Sequence, residues 1–302
     1  MTDSGFCDKD YKNLSSMHFL KTIQTVPEGL EPESLTCILT LLGVKNIPKY
    51  LRGYAEALGE NIPLDQNDLI LRGSWFALDE SACCTVPTQA PEHIKTNIPI
   101  SYYRIGDYKS LLILPGLAGQ VENIHTHPPY ACAGQAAKNL RPRGNALLET
   151  LFDSLCDEKR CMIPWGQSRA AKLPPFPKPA AVICGTQIVK GIAKLLDMKL
   201  VDVPGATGDI DTDLKAKVDA TLSAAKENDF VLLHINGADE ASHRRDSIEK
   251  QSFLQRIDLL VLPRLISSQH TVFVAADHST DPFTGCHRGE FQPLYTNQKR
   301  KE

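Results

Sequence analysis

The chain has 302 residues, with 33 Lys and Arg against 36 Asp and Glu, 42% apolar residues and a net charge of −3. That length suits one large or two ordinary domains; the composition excludes a mainly disordered chain, and the charge gives no general attraction to nucleic acid. No apolar run nears the ~18 residues of a membrane span, the polar start lacks a signal-peptide core, and the scattered cysteines, without a CxxC pair, fit free thiols in a reducing compartment, so a cytoplasmic protein without a membrane partner is expected.

In chain order, the strand-like HFLKTIQTV leads through PEGLEPES into an apolar helical stretch, LTCILTLLG. A less regular middle follows, with strand-like YYRIGDYKSLLIL, turn-rich HTHPPYACAGQ and a Pro-rich exit, KLPPFPKPAAV. Beyond it the rhythm sharpens. Strands are predicted over 181–184, 199–203, 229–235 and 271–276, alternating with helices over GTQIVKGIAKLL, 211–226 and about 247–262, the last meeting Pro263. Strands alternating with helices imply parallel pairing through right-handed crossovers, and continuous apolar strands imply cover on both faces. The expected architecture is α/β: a doubly wound, mostly parallel sheet built from residues 1–72 and 179–302, with a second α+β domain, residues 73–178, inserted into it.

Three groups of donors fall just past predicted core strands, where open parallel sheets place their sites. They are Asp239 and His243 in DEASH, Asp277 and His278 after TVFVAA, and His287 after STDPFTGC. Carboxylate oxygen and imidazole nitrogen together suit Mn²⁺ or Zn²⁺, and an aspartate four residues before a histidine can present both on one side of a helix. Ser34, in a Pro-containing turn just before the apolar helix, is the candidate nucleophile and a candidate N-cap. A phosphate there would meet free N–H groups and the positive end of the helix dipole, and a divalent cation would activate the hydroxyl. Lys190 and Arg52 are candidate phosphate binders, His125 and His127 form a weak HxH pair, and Trp165, Gln167 and Arg169 could line a polar pocket.

Together the segments TVPEGLEPES, LRGYAEALGENIPLDQNDLILRGSW, IPWGQ, GTQIVKGIAK, VPGATGDIDTDLKAK, FVLLHINGADEASH and ADHSTDPFTGCH resemble, in order, the archaeal-type cofactor-independent phosphoglycerate mutases of the alkaline phosphatase superfamily. The resemblance implies an alkaline-phosphatase-like core and a two-metal enzyme, its metal Mn²⁺, that interconverts 3-phosphoglycerate and 2-phosphoglycerate through a phosphoserine without 2,3-bisphosphoglycerate. It implies that Asp239, His243 and His287 hold one metal, that Asp277, His278 and Ser34 contact the other, and that Lys190, Arg52 and Arg72 neutralise phosphate or carboxylate on a small phosphorylated substrate.

The family's opening strand, whose terminal aspartate ligates the second metal, has no counterpart before Ser34. Asp3 and Asp10 follow no apolar strand, Glu33 and Leu35 stand where the family usually has glycine and aspartate, the inserted domain reads Pro128-Pro129-Tyr130-Ala131 where the family has Pro-Pro-His-Asp, and Arg244 and Arg245 follow DEASH. The second site is therefore expected to be weaker than the first. A phosphatase using water as acceptor, and a non-catalytic relative keeping one metal, stand as alternatives.

Overall fold

The computed structural model describes residues 11–129, 132, 134–289 and 291–299. Asp3, Asp10, Tyr130 and Ala131 lie outside the described residues. The chain divides into two compact units, residues 1–47 with 174–302, and residues 48–173. These limits differ from the breaks expected at 72/73 and 178/179, because the residues around Arg52 and Arg72 pack with the middle of the chain.

The first unit opens with β1 (His18–Ile23) and α1 (Ser34–Leu41). The second contains α2 (Arg52–Gly59), β2 (Leu69–Leu78), β3 (Cys84–Pro87), β4 (Ser101–Arg104), β5 (Lys109–Leu114), α3 (Ala146–Ser154) and β6 (Arg160–Ser168). The YYRIGDYKSLLIL segment becomes the β4–β5 hairpin, and β2 pairs antiparallel with both β5 and β6. The first eight residues of β2 are buried, as its apolar sequence demands. Leu69, Leu71, Trp75, Leu112, Leu148 and Met162 form the main apolar cluster of this unit. The expectation of free thiols fails here at one pair: Cys156 and Cys161 form a disulfide where their backbones face each other across an antiparallel bridge.

The chain returns to the first unit with β7 (Ala180–Ile183), α4 (Gln187–Leu195), β8 (Lys199–Leu200), α5 (Leu214–Ala224), β9 (Phe230–Leu233) and α6 (Gly237–His243). Then come α7 (Ser247–Leu260), α8 (Leu262–Ile266), β10 (Phe273–Val274), β11 (Ser279–Thr280), β12 (His287–Arg288) and β13 (Gln292–Thr296). Pro263 falls in the first turn of α8, where its missing N–H leaves no intrahelical bond unmade, so the helical pattern resumes immediately after α7. Asp213 and Asp246 start α5 and α7 by accepting from Ala216 N and Glu249 N.

β7 lies between β8 and β9, parallel to both, in the order β8-β7-β9. Only β7 has the full cover expected of a central parallel strand; β9 is half-buried throughout. The strand predicted over 271–276 shortens to β10 and pairs antiparallel with β13, in the order β1-β13-β10. Among the described residues, β9 and β10 are thus edge strands, and Phe273 of β10 is 60% exposed. Among the described residues, no helix is long and apolar enough to cross a membrane.

Candidate metal centre and nucleophile

β9 delivers the chain to α6, whose geometry creates the first donor pair. Asp239 and His243 lie one helical turn apart on the same side, with His243 Nε2 3.4 Å from Asp239 Oδ2. α6 can begin there because Gly237 has no side chain: a Cβ would come within 2.7 Å of the Phe253 ring on α7 and 2.9 Å of Ile210 N. His287 arrives from β12, with its Nε2 3.5 Å from Asp239 Oδ1 and 3.1 Å from His243 Nε2. Among the described residues, Asp239, His243 and His287 are the one group whose three donor atoms all lie within 4.8 Å of one another.

Their hydrogen bonds decide which atoms face inward. His243 Nδ1 is 3.0 Å from Gly285 O, and His287 Nδ1 is 2.7 Å from Pro32 O. A carbonyl only accepts, so each Nδ1 carries the hydrogen and each neutral ring turns an Nε2 lone pair toward the other. Two lone pairs 3.1 Å apart repel unless a proton or a cation lies between them. Thr280 Oγ1 donates to Asp239 Oδ1 at 2.6 Å, and Lys250 Nζ donates to Thr280 O at 2.6 Å. The donor set, its orientation and its hydrogen-bonded support fit a divalent cation.

The charges agree with that reading. Burial works to raise the Asp239 carboxyl, but the charge of His243, and the Nε2–H groups of His243 and His287 when those rings are protonated, outweigh it and hold it well below the usual carboxylate range. For His243 the balance is reversed in sign: burial pulls it down, and Asp239 together with Glu240 and the Gly285 carbonyl raises it above the usual imidazole value.

The second group is less converged. Ser34 Oγ lies 2.9 Å from His278 Nε2, and Asp277 Oδ2 lies 3.5 Å from the same nitrogen. Thr280 Oγ1 is 3.3 Å from His278 Nδ1, so one hydroxyl touches a member of each group. The His278 ring stacks on His287 with centroids 4.0 Å apart. Ser34 is the first helical residue of α1 and not its cap. Glu33, in an extended conformation with φ −136° and ψ 133°, occupies the cap position without capping through its side chain. Arg244 turns into ion pairs with Asp209 and Glu249.

Lys190 lies on the first turn of α4 in this unit. Arg52 and Arg72 belong to the second unit, where both meet Glu56, at 3.3 Å and 3.2 Å. Arg52 also lies over the Trp165 ring, and Trp165 Nε1 donates to Ser74 Oγ. Gln167 accepts from Thr126 and donates to Ile124 O. Arg169 lines a shallow hollow of about 430 Å³ with Pro48, Lys49, Tyr50, Glu122 and Ala171. Among the described residues, His125 and His127 join no third donor.

Sequence reasoning passed over four residues. Thr280 directly supports Asp239, and its place in ADHST was a usable signal. His234, the polar end of an apolar strand, has a buried Nδ1 without a hydrogen-bond partner; burial lowers its pKa, while nearby Asp277 opposes that change. Lys217 is fully buried, donates to Thr207 O and His234 O, and is pushed down to about 8 by burial. Thr186 caps α4 by position alone.

Comparison with known proteins places this edge, with its aspartate and histidine donors beside a serine, in a family. A family model described as the Metalloenzyme superfamily matches residues 24–301, and the chain belongs to that superfamily. The 2,3-bisphosphoglycerate-independent phosphoglycerate mutase of Methanococcus aeolicus is 28% identical over 303 residues, covering 85% of this chain and 74% of the relative. The protein of the same name from Methanosphaera stadtmanae is 25% identical, covering 90% and 78%. Among solved structures, the PH0037 protein of Pyrococcus horikoshii aligns with a TM-score of 0.69 at 20% identity, covering 98% of this chain and 81% of that one. The Cofactor-Independent Phosphoglycerate Mutase of Thermoplasma acidophilum aligns with a TM-score of 0.50 at 16% identity, covering 95% and 81%. These structural likenesses show the shared alkaline-phosphatase-like fold.

Proposed function

We propose that this chain is a metal-dependent phosphoglycerate mutase of the cytoplasm, interconverting 3-phosphoglycerate and 2-phosphoglycerate through phosphorylated Ser34 without 2,3-bisphosphoglycerate. The observation that carries the reading is the convergence of Asp239, His243 and His287, with His278 stacked on His287 and hydrogen-bonded to Ser34. The names of the archaeal relatives supply the substrate.

In this reading Asp239, His243 and His287 hold one divalent cation, Mn²⁺, and Asp277, His278 and Ser34 contact a second. Bound there, such cations neutralise phosphoryl oxygens and make the serine hydroxyl more acidic. The residues of the chain do the rest. His278 Nε2 holds Ser34 Oγ at the head of α1, where the helix dipole favours an anion. Ser34 Oγ takes the phosphoryl group from one glycerate oxygen, the glycerate turns, and its neighbouring oxygen takes the group back. Lys190, Arg52 and Arg72 are assigned to balance phosphate and carboxylate charge.

A second reading, a relative that keeps the fold and one metal, is favoured by one observation. Among the described residues, Asp277 and His278 gather no third carboxylate or imidazole comparable to the first group. Phosphorus NMR of the protein with 3-phosphoglycerate, with and without Mn²⁺, separates the readings. The mutase reading expects 2-phosphoglycerate only with Mn²⁺ and loss of turnover in Ser34→Ala. Inorganic phosphate would mean a phosphatase, and an unchanged substrate with one bound metal per folded chain would favour the one-metal relative.

A further inference from the structure

His243 and His287 have their tautomers fixed by backbone carbonyls, which can only accept. His278 instead meets a hydroxyl, which can donate or accept. Its Nδ1 lies 3.3 Å from Thr280 Oγ1, and its Nε2 lies 2.9 Å from Ser34 Oγ. By themselves those two contacts fit two arrangements. Either Nδ1 carries the hydrogen and Nε2 accepts from Ser34, or Nε2 carries it and donates to Ser34. Asp277 Oδ2, 3.5 Å from Nε2, pulls toward the second.

A further bond made by Thr280 decides between them. Thr280 Oγ1 also lies 2.6 Å from Asp239 Oδ1, and a carboxylate only accepts. A hydroxyl has a single hydrogen. Spent on Asp239, the closer and charged partner, it leaves only lone pairs for His278. Nδ1 must then be the donor, and Nε2 of the neutral ring keeps a lone pair that accepts from Ser34 Oγ. Thr280 is held in place on two sides: it pairs with His287 across β11 and β12, and its carbonyl accepts from Lys250 Nζ. Thr280 and His278 are both buried, where such bonds count for more than they would in water.

We propose that Thr280 is a positioning residue, which holds His278 as the Nδ1–H tautomer and so turns its Nε2 lone pair to Ser34. The setting passes from one donor group to the other, because Asp239 directs the hydrogen of Thr280. Asp239 orients Thr280, Thr280 orients His278, and His278 accepts from the Ser34 hydroxyl. The same lone pair is the one that His278 can offer to a cation. That the hydroxyl held in this way is the phosphoryl acceptor rests on the mutase reading; the tautomer does not.

Long-range proton–nitrogen NMR of the full 302-residue chain, carrying isotope-labelled histidine, reads which ring nitrogen of His278 bears hydrogen. The chain is treated with chelator and kept at alkaline pH, where imidazoles are neutral, and His278→Asn identifies the signals. The wild type is expected to carry hydrogen on Nδ1. Thr280→Val removes the acceptor and leaves Asp277 unopposed. It is expected to move the tautomer ratio toward Nε2–H by about tenfold, the worth of one hydrogen bond. Thr280→Ser is expected to keep the wild-type tautomer. Asp239→Ala frees the Thr280 hydrogen to turn toward His278, and is expected to shift the ratio in the same direction with Thr280 still present. A merely structural role for Thr280 predicts no such shift in Asp239→Ala. Circular dichroism melts confirm that the variants are folded, and the wild type with Asp239→Ala carries the test if Thr280→Val is not. Hydrogen on Nε2 in the wild type, or the wild-type tautomer kept in any folded one of Thr280→Val and Asp239→Ala, overturns the proposal. The expected tautomers in a chain that leaves 3-phosphoglycerate unaltered with Mn²⁺ would sustain the role of Thr280 and remove the mutase reading.

Discussion

The two donor groups sit side by side, joined by the stacked rings of His278 and His287, yet they are built differently. In the first, both imidazoles are oriented by backbone carbonyls, and Asp239 is braced by Thr280, itself held by Lys250. In the second, His278 spends its inward nitrogen on Ser34, while Asp277 stands 3.5 Å from that nitrogen. In the proposed reading, the same residue types are preorganised around a cation in one group and arranged around a nucleophile in the other. Orientation of the histidine nitrogens, more than the number of donors, separates the two.

The comparison can be broken most directly at the ligands. His287→Ala should weaken the tighter divalent cation by more than about 100-fold, beyond the 10–100-fold ordinarily seen for supporting residues. Asp277→Ala should leave that cation in place, and calorimetric titration with Mn²⁺ measures both. Equal losses in the two variants would erase the distinction between the groups.

A smaller effect tests the bracing. Thr280→Val removes the hydroxyl that donates to Asp239, and should cost roughly tenfold in affinity at the first group with little change in fold. Finer still is the dependence on pH. The His243 pKa is raised above its ordinary value of 6.5, so below that raised pKa a cation must displace a proton. Mn²⁺ affinity should therefore climb with pH through and above 6.5, by up to about tenfold per unit while His243 remains protonated. Without metal the sign reverses. Protonated His243 contributes stability at low pH, and that contribution fades as pH rises through its folded pKa. Thermal melts with and without chelator across that range should show opposite slopes in this contribution, and His243→Ala should flatten both.

Much of the first group was legible because it is local. DEASH puts Asp239 and His243 one turn apart on any helix, and Asp277 and His278 follow a recognisable strand. The carbonyls of Pro32 and Gly285 were not legible, since every residue has a carbonyl and only the fold selects which ones face a histidine. Ser34 was read as a cap, whereas the extended backbone of Glu33 takes that place. The sheet was predicted from apolar runs, which report burial but not partners. β10 therefore looked like another parallel strand until β13 claimed it. Glu56, which ties Arg52 to Arg72, sits mid-helix among alanines and carries no motif of its own.

The bond from His287 to the carbonyl of Pro32 spans 255 positions of the chain. A ribosome releasing this protein exposes Asp239 and His243 well before His287, and His287 takes its working orientation only by meeting a stretch synthesised near the beginning. In the proposed reading, competence to hold the cation is reached only once the segments around Pro32 and His287 have met. A product stalled between His243 and His287 would, on the same reading, carry two of the three donors of the first group and little of its affinity.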